Sequence, residues 1–304
     1  MTPINLKAQF DKAHRIVIKI GTETILKNGV VHTPWLNSLA GDIARLKHDN
    51  KEVFIVSSGA IGLGRGMLGI DPKTPGKDLP MPIKQKAAMV GQCHLVMAFD
   101  KALGTHGLFA GQALLTKYIT TSAEQTEKFC NATMAGEFDT DMTRRIVPIL
   151  NENDVIVTKE IEFGDNDGLG ALVANLVDAD IYVILSDLDG LYTDNPKLNP
   201  DAKHIPYVPN IRESYKYVND DLNGMSRGGM QSRLLASESA TASRYAKTVG
   251  IEKKTGSTVI LAKGKDEIGC LGKLIDATDP DYLCTIIPPQ PLPQNTSSIQ
   301  RLEA

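Results

Sequence analysis

The chain has 304 residues, 33 of them Lys or Arg and 36 Asp or Glu, and the resulting formal charge of -3 excludes a generic basic nucleic-acid binder. With 42% hydrophobic and 23% charged residues the composition is that of a globular protein. Wholesale disorder is excluded, and there is room for one large α/β domain or two small ones.

In chain order, Met1 to Lys7 show no apolar leader core with a small-residue cleavage site, and residues 1–14 read as an N-terminal extension. Short β-branched runs then alternate with helical patterns, with strands expected at 15–20, 52–57, 108–114, 145–150, 181–186 and 257–262. Between the first two, Leu36, Leu39, Ala40, Ile43 and Leu46 keep helical spacing, and Thr33-Pro34 is expected to give a cap and a first-turn proline. Gly64-Arg65-Gly66-Met67-Leu68-Gly69 satisfies G-x-G-x-x-G. It lacks the preceding strand and the following helix that a dinucleotide site needs, so that reading is set aside. Residues 71–80 and 194–210 are loops rather than domain linkers, because the alternation continues past both. A second helix carries Leu169, Leu172, Val173, Leu176 and Val177 directly after Asp165-Asn166-Asp167, placing that polar triplet at its start. Residues 285–304, Pro-rich and then polar, read as a disordered tail.

This order predicts a single α/β domain over 15–284, with a mostly parallel central sheet covered on both faces. The four cysteines (Cys93, Cys130, Cys270 and Cys284) are dispersed, which argues against a disulfide framework or structural zinc and for a reducing compartment. No run of 18 apolar residues occurs, so a cytoplasmic protein without membrane contact is expected.

Ligands of open α/β sheets bind at the carboxyl ends of the strands. Four such junctions are polar or glycine-rich: Lys19-Ile20-Gly21-Thr22, Ser57-Ser58-Gly59-Ala60, Asn151-Glu152-Asn153-Asp154 and Ser186-Asp187-Leu188-Asp189-Gly190. Each taken alone reads equally well as a surface lysine, a helix cap or a polar turn. Their equivalent positions predict convergence on one site. They hold a cation, glycine amides and amide or acidic side chains but none of the histidines, a set suited to phosphate and carboxylate ligands. The P-loop, H-E-x-x-H and G-x-S-x-G patterns are absent.

These four junctions, with Gly164-Asp165-Asn166-Asp167, the continuation Leu191-Tyr192 and Gly228-Gly229-Met230, together resemble the glutamate 5-kinase family of the amino acid kinase fold. The resemblance runs from about residue 15 to 265 and implies a three-layer α/β/α sandwich. The lysine-glycine start and the Ser-Gly turn are shared with aspartokinases, acetylglutamate kinases and uridylate kinases, whereas Asn-Glu-Asn-Asp with Gly-Asp-Asn-Asp is more specific. The implied reaction transfers the γ-phosphoryl group of ATP to the side-chain carboxylate of L-glutamate, the first step of proline biosynthesis. By resemblance Lys19, Asp167 and Arg233 are catalytic, and Ser58, Asp154 and Asn166 hold glutamate. The nucleotide falls to Lys19, Ser186, Asp187 and the segment Arg227, Gly228, Gly229, Met230, Gln231, Ser232, Arg233. Mg2+ is expected on ATP and water oxygens, with no protein ligand assigned. The resemblance also implies a homo-oligomer, a possible proline feedback inhibitor, and a functional link to glutamyl-phosphate reductase. Residues after about 265 leave no room for the small RNA-binding-like (PUA) module that follows in many family members.

The chain departs from the family at several positions. Ser226 to Arg233 stands where the family usually reads Gly-Thr-Gly-Gly-Met-x-Thr-Lys, so the lysine becomes Arg233, which keeps the charge but not the point-like geometry. Glu23 occupies a position that is commonly serine, and Thr120 to Asn131 lacks the usual arginine- and aspartate-rich character. These departures keep two alternatives open: a catalytically weak homologue acting as a regulatory binding subunit, or a sibling kinase acting on aspartate or acetylglutamate.

Overall fold

The structure is a computed structural model that describes residues 5–71, 73–157, 166–218, 229–242, 256–277 and 281–290. Its strands are β1 (Arg15–Ile20), β2 (Leu26–Lys27), β3 (Val30–Val31), β4 (Glu52–Ser57), β5 (Phe109–Leu115), β6 (Ile146–Glu152), β7 (Ile181–Ser186), β8 (Leu191–Tyr192), β9 (His204–Ile205), β10 (Thr258–Lys263) and β11 (Cys284–Ile287). The helices are α1 (Leu6–Lys12), α2 (Thr22–Ile25), α3 (Thr33–His48), α4 (Ala60–Met67), α5 (Met81–Gly104), α6 (Ala123–Thr133), α7 (Asn166–Leu176), α8 (Ile211–Ser214), α9 (Met230–Thr241) and α10 (Cys270–Asp276).

Among the described residues, seven strands form the main sheet in the order β11-β10-β7-β1-β4-β6-β5, parallel except for β11. Strands buried on both faces read in sequence as continuous apolar runs, which is why β1, β4 and β7 fall where the pattern predicts them. Ile16, Ile18 and Ile20 of β1 pack on one face with Trp35, Leu36 and Ile43 of α3 and Leu95 and Phe99 of α5. Val17 packs on the other with Leu169 and Val173 of α7 and Leu234 of α9. The three layers follow from this alternation.

Three local expectations are corrected. The N-cap of α3 is His32, with Thr33 already inside the first turn beside Pro34. The N-terminal segment contributes α1, whose Phe10 is buried in the α3 and α5 face. At the other end the sheet continues past residue 284, because β11 pairs antiparallel with β10 and buries Thr285 and Ile287. The tail reading therefore begins too early, and residues 291–304 lie outside the described residues.

Gly64 and Gly66 of the G-x-G-x-x-G run lie within α4, where Gly64 serves packing rather than nucleotide binding. A Cβ on Gly64 would stand 1.9 Å from the Ala87 carbonyl oxygen, and one on Gly91 1.8 Å from that of Ala60. Only glycine permits this approach of α4 to α5. The same contact fixes the position of Gln92, the residue after Gly91.

Candidate active site

Parallel register aligns the strand ends. Lys19 lies beside Val56 and Ile184, and Ile20 beside Ser57 and Leu185, while Leu150 pairs with Val56. Gly21, Ser58, Asn151 and Ser186 therefore emerge at one edge, lining a cleft of about 1200 Å³. The four junctions converge as predicted.

Lys19 shares the face of Val17, so its side chain runs under α7. There its Nζ meets Asp167 Oδ1 at 2.5 Å, with the two residues 7% and 1% exposed. The first turn of α7 is held down by Tyr182 of β7, whose hydroxyl donates to the Asp167 carbonyl oxygen at 2.9 Å. Gly170 admits that ring, since a Cβ there would lie 2.3 Å from the Tyr182 oxygen. A buried ion pair adds little net stability, but it fixes a cation at the cleft floor.

On the opposite side Asn166 Nδ2 donates to Ser58 Oγ at 2.9 Å and to Asn151 Oδ1 at 2.8 Å. Gly59, with φ of +108°, makes the left-handed turn that exposes Ser58 before α4. Asp154, two residues beyond the end of β6, also lines the cleft.

At the third side Arg233, in the first turns of α9 and 8% exposed, donates from Nη2 to Asp187 Oδ1 at 3.0 Å. Lys197 donates to Asp187 Oδ2 at 2.7 Å. Burial alone would raise the Asp187 carboxyl, but the hydrogen bonds and charges of Lys197 and Arg233 outweigh it and hold the pKa down to about 2. Asp187 thus stays ionised throughout the neutral range, and its share of stability is lost only as pH falls toward 2.

The expected site residues separate accordingly. Lys19, Asp167, Ser58, Asp154, Asn166, Ser186, Asp187, Gly229, Met230, Gln231 and Arg233 all line the cleft. Ser232 is described in α9 but does not line it, and Arg227 and Gly228 lie outside the described residues. The resemblance places Arg233 with Asp167 among the catalytic residues, and in the structure its ion pair is with Asp187, α9 packing against α7 and β10. Two charged residues escape motif reading. Lys197 is in a polar loop that looks like any solvated turn, and Lys265, on the turn after β10, donates to Glu23 Oε2 at 2.6 Å. The extra negative charge of Glu23 is thereby matched by a lysine 242 positions away.

No cluster of three or more His, Cys, Asp or Glu able to hold a metal occurs among the described residues. The cleft carboxylates Asp167 and Asp187 are already engaged by cations. Neither of these two carboxylates is thus left free for a resident metal.

A parallel sheet whose strand ends carry a buried cation, a polar amide cluster and a doubly paired aspartate is a site for small anionic ligands such as phosphates and carboxylates. The amino acid kinase family profile matches residues 14–249. The chain belongs to that family. It is 40% identical over 274 residues to a glutamate 5-kinase of Ruegeria sp. (strain TM1040), covering 86% of this chain and 72% of that one. It is also 40% identical over 272 residues to a glutamate 5-kinase of Nitrobacter hamburgensis, covering 88% and 65%. The chain thus spans about two thirds of the length of such relatives. Among solved structures, UMP kinase from Ureaplasma parvum superposes with a TM-score of 0.58 at 15% identity, over 91% of this chain and 99% of that one. An isopentenyl phosphate kinase does so with a TM-score of 0.51 at 19% identity, over 90% and 99%. These likenesses establish the fold.

Proposed function

We propose that the chain catalyses ATP-dependent phosphorylation of the side-chain carboxylate of L-glutamate, as the curated names of its 40%-identical relatives indicate. The observation that carries the reading is the placement of the buried Lys19–Asp167 pair between the Asn166–Ser58 cluster and the Asp187–Arg233 turn within one cleft. A carboxylate of pKa about 4.3 is ionised at neutral pH and needs no general base. That accounts for a site built without histidine. The barrier lies in bringing this anion in line with a polyanionic phosphate, which calls for positive charge and positioning.

In this reading Asp154 and Asn166 receive the α-ammonium of glutamate and Ser58 a carboxylate. Lys19, positioned by Asp167, neutralises the transferring phosphoryl group. Ser186, Asp187 and the segment 227–233 hold the nucleotide, with Lys197 adding a cation on that side. Magnesium enters on the phosphates and water as part of the nucleotide substrate. The same reading places a glutamyl-phosphate reductase after this step, makes proline a candidate feedback ligand, and expects a homo-oligomer in the cytoplasm. No described helix is long and apolar enough to cross a membrane. Neither the fold nor the relatives favour the regulatory-subunit alternative.

Incubation with ATP, magnesium and hydroxylamine in the presence of L-glutamate, L-aspartate or N-acetyl-L-glutamate tests the assignment. Hydroxamate should accumulate with glutamate and fall to background with the other two. Product with either alternative acceptor and none with glutamate would replace the proposed substrate.

A further inference from the structure

Behind the acceptor side of the cleft lies a residue outside every motif of the sequence. Gln92 sits in the middle of α5, 7% exposed, and its Oε1 accepts a hydrogen bond from Asn151 Nδ2 at 2.9 Å. Its own Nε2 is buried with no hydrogen-bond partner among the described residues. A stranded buried amide is unfavourable, so this orientation persists for what the oxygen does.

The polarity of the network is set by a donor that cannot turn. The backbone N–H of Glu152 donates to Asn151 Oδ1 at 2.9 Å, so the Asn151 carbonyl faces its own strand and its amide faces Gln92. Asn151 Oδ1 also accepts from Asn166 Nδ2, and the second amide hydrogen of Asn166 goes to Ser58 Oγ. With both hydrogens committed, Asn166 can offer a ligand only its carbonyl oxygen. Ser58, already accepting, can offer its hydroxyl proton.

We infer that Gln92 is a positioning residue that holds in place, through Asn151 and Asn166, the hydrogen-bond polarity that the Glu152 N–H imposes on the acceptor site. An oxygen at Asn166 suits an ammonium, and a hydroxyl donor at Ser58 suits a carboxylate. Together they select a zwitterionic α-amino acid over a plain dicarboxylate of the same length. The inference deepens the proposed function and rests on it. Its reach is confined to the acceptor, because the network touches neither Asp187 nor Arg233.

The test compares glutamate with glutarate, which lacks the ammonium, as acceptors for the parent chain, Gln92→Met and Gln92→Glu. For Gln92→Met the glutamate KM should rise about tenfold, as expected for the loss of one buried hydrogen bond. The preference for glutamate over glutarate should fall by a similar factor, while kcat and the ATP KM stay within about twofold. Gln92→Glu keeps an oxygen opposite Asn151 and should retain the parental preference. An unchanged preference in Gln92→Met, a parallel loss of kcat and both KM values, or a lost preference in Gln92→Glu would each overturn the role. A parent chain that forms no product from glutamate would instead sink the proposed function itself, and is seen before any variant is made.

Discussion

Lys19→Ala is expected to lower kcat by about two to three orders of magnitude, the usual cost of removing a preorganised charge from a transferring group. The glutamate KM should change by less than about threefold. The reason is positional. The Lys19 ammonium is fixed by Asp167 at the cleft floor, between the cluster around Ser58 and the turn at Asp187, and away from the Asp154 side that would grip the acceptor. Charge on the migrating phosphoryl group spreads as the bond to the leaving oxygen loosens, so the ammonium gains most of its interaction after the ground state. The substitution also takes the Lys19 cation away from the buried Asp167 carboxylate, and a fall in melting temperature should accompany it. Steady-state kinetics on folded variant decide the matter. A large rise in the glutamate KM at nearly constant kcat would move Lys19 to the acceptor site. Asp154→Ala, by contrast, should act mainly on glutamate binding.

Asp167→Ala should be the most destabilising single change in the site, costing about 3–5 kcal/mol, because it leaves the Lys19 ammonium buried without its carboxylate. The hydrogen bond from Tyr182 runs to the Asp167 backbone carbonyl and survives the substitution, so α7 keeps its seat on β7. The damage is therefore electrostatic rather than a loss of docking. Asp167→Asn preserves volume and should destabilise less while still depressing kcat, since a neutral amide holds the ammonium more weakly. Denaturant unfolding of the two variants beside their turnover separates these effects. Parental stability and turnover in Asp167→Ala would show that the pair is incidental.

Much of the fold was readable because its strands are buried on both faces. Ile16 to Ile20, Val53 to Val56 and Ile181 to Leu185 leave little ambiguity, and their ends match the structure to within about a residue. The convergence of Lys19, Ser58, Asn151 and Asp187 followed from topology, since parallel strands must present their carboxyl ends together. What local pattern could not carry was pairing across the chain. Nothing around Arg233 announces that it will meet Asp187 rather than Asp167, and nothing around Glu23 announces Lys265. Both depend on how α9 and the turn after β10 dock. Gln92 lies in a helix that also carries Gln85 and several charged residues, where a glutamine looks like a surface residue, and its burial follows the close approach of α5 to α4 at Gly91 and Gly64. The edge strand β11 was hidden by the prolines that follow it, which pulled the reading of the tail forward.

The central chemical step is attack of a side-chain carboxylate oxygen of glutamate on the γ-phosphorus of ATP. Glutamate labelled with 18O in that carboxylate, incubated with ATP, magnesium and hydroxylamine, tests this directly. Hydroxylamine cleaves the acyl phosphate at the carbonyl carbon, so the released phosphate should carry one 18O from glutamate for every hydroxamate formed. Phosphate released without label, or label retained wholly in glutamate while ATP is consumed, would contradict that step.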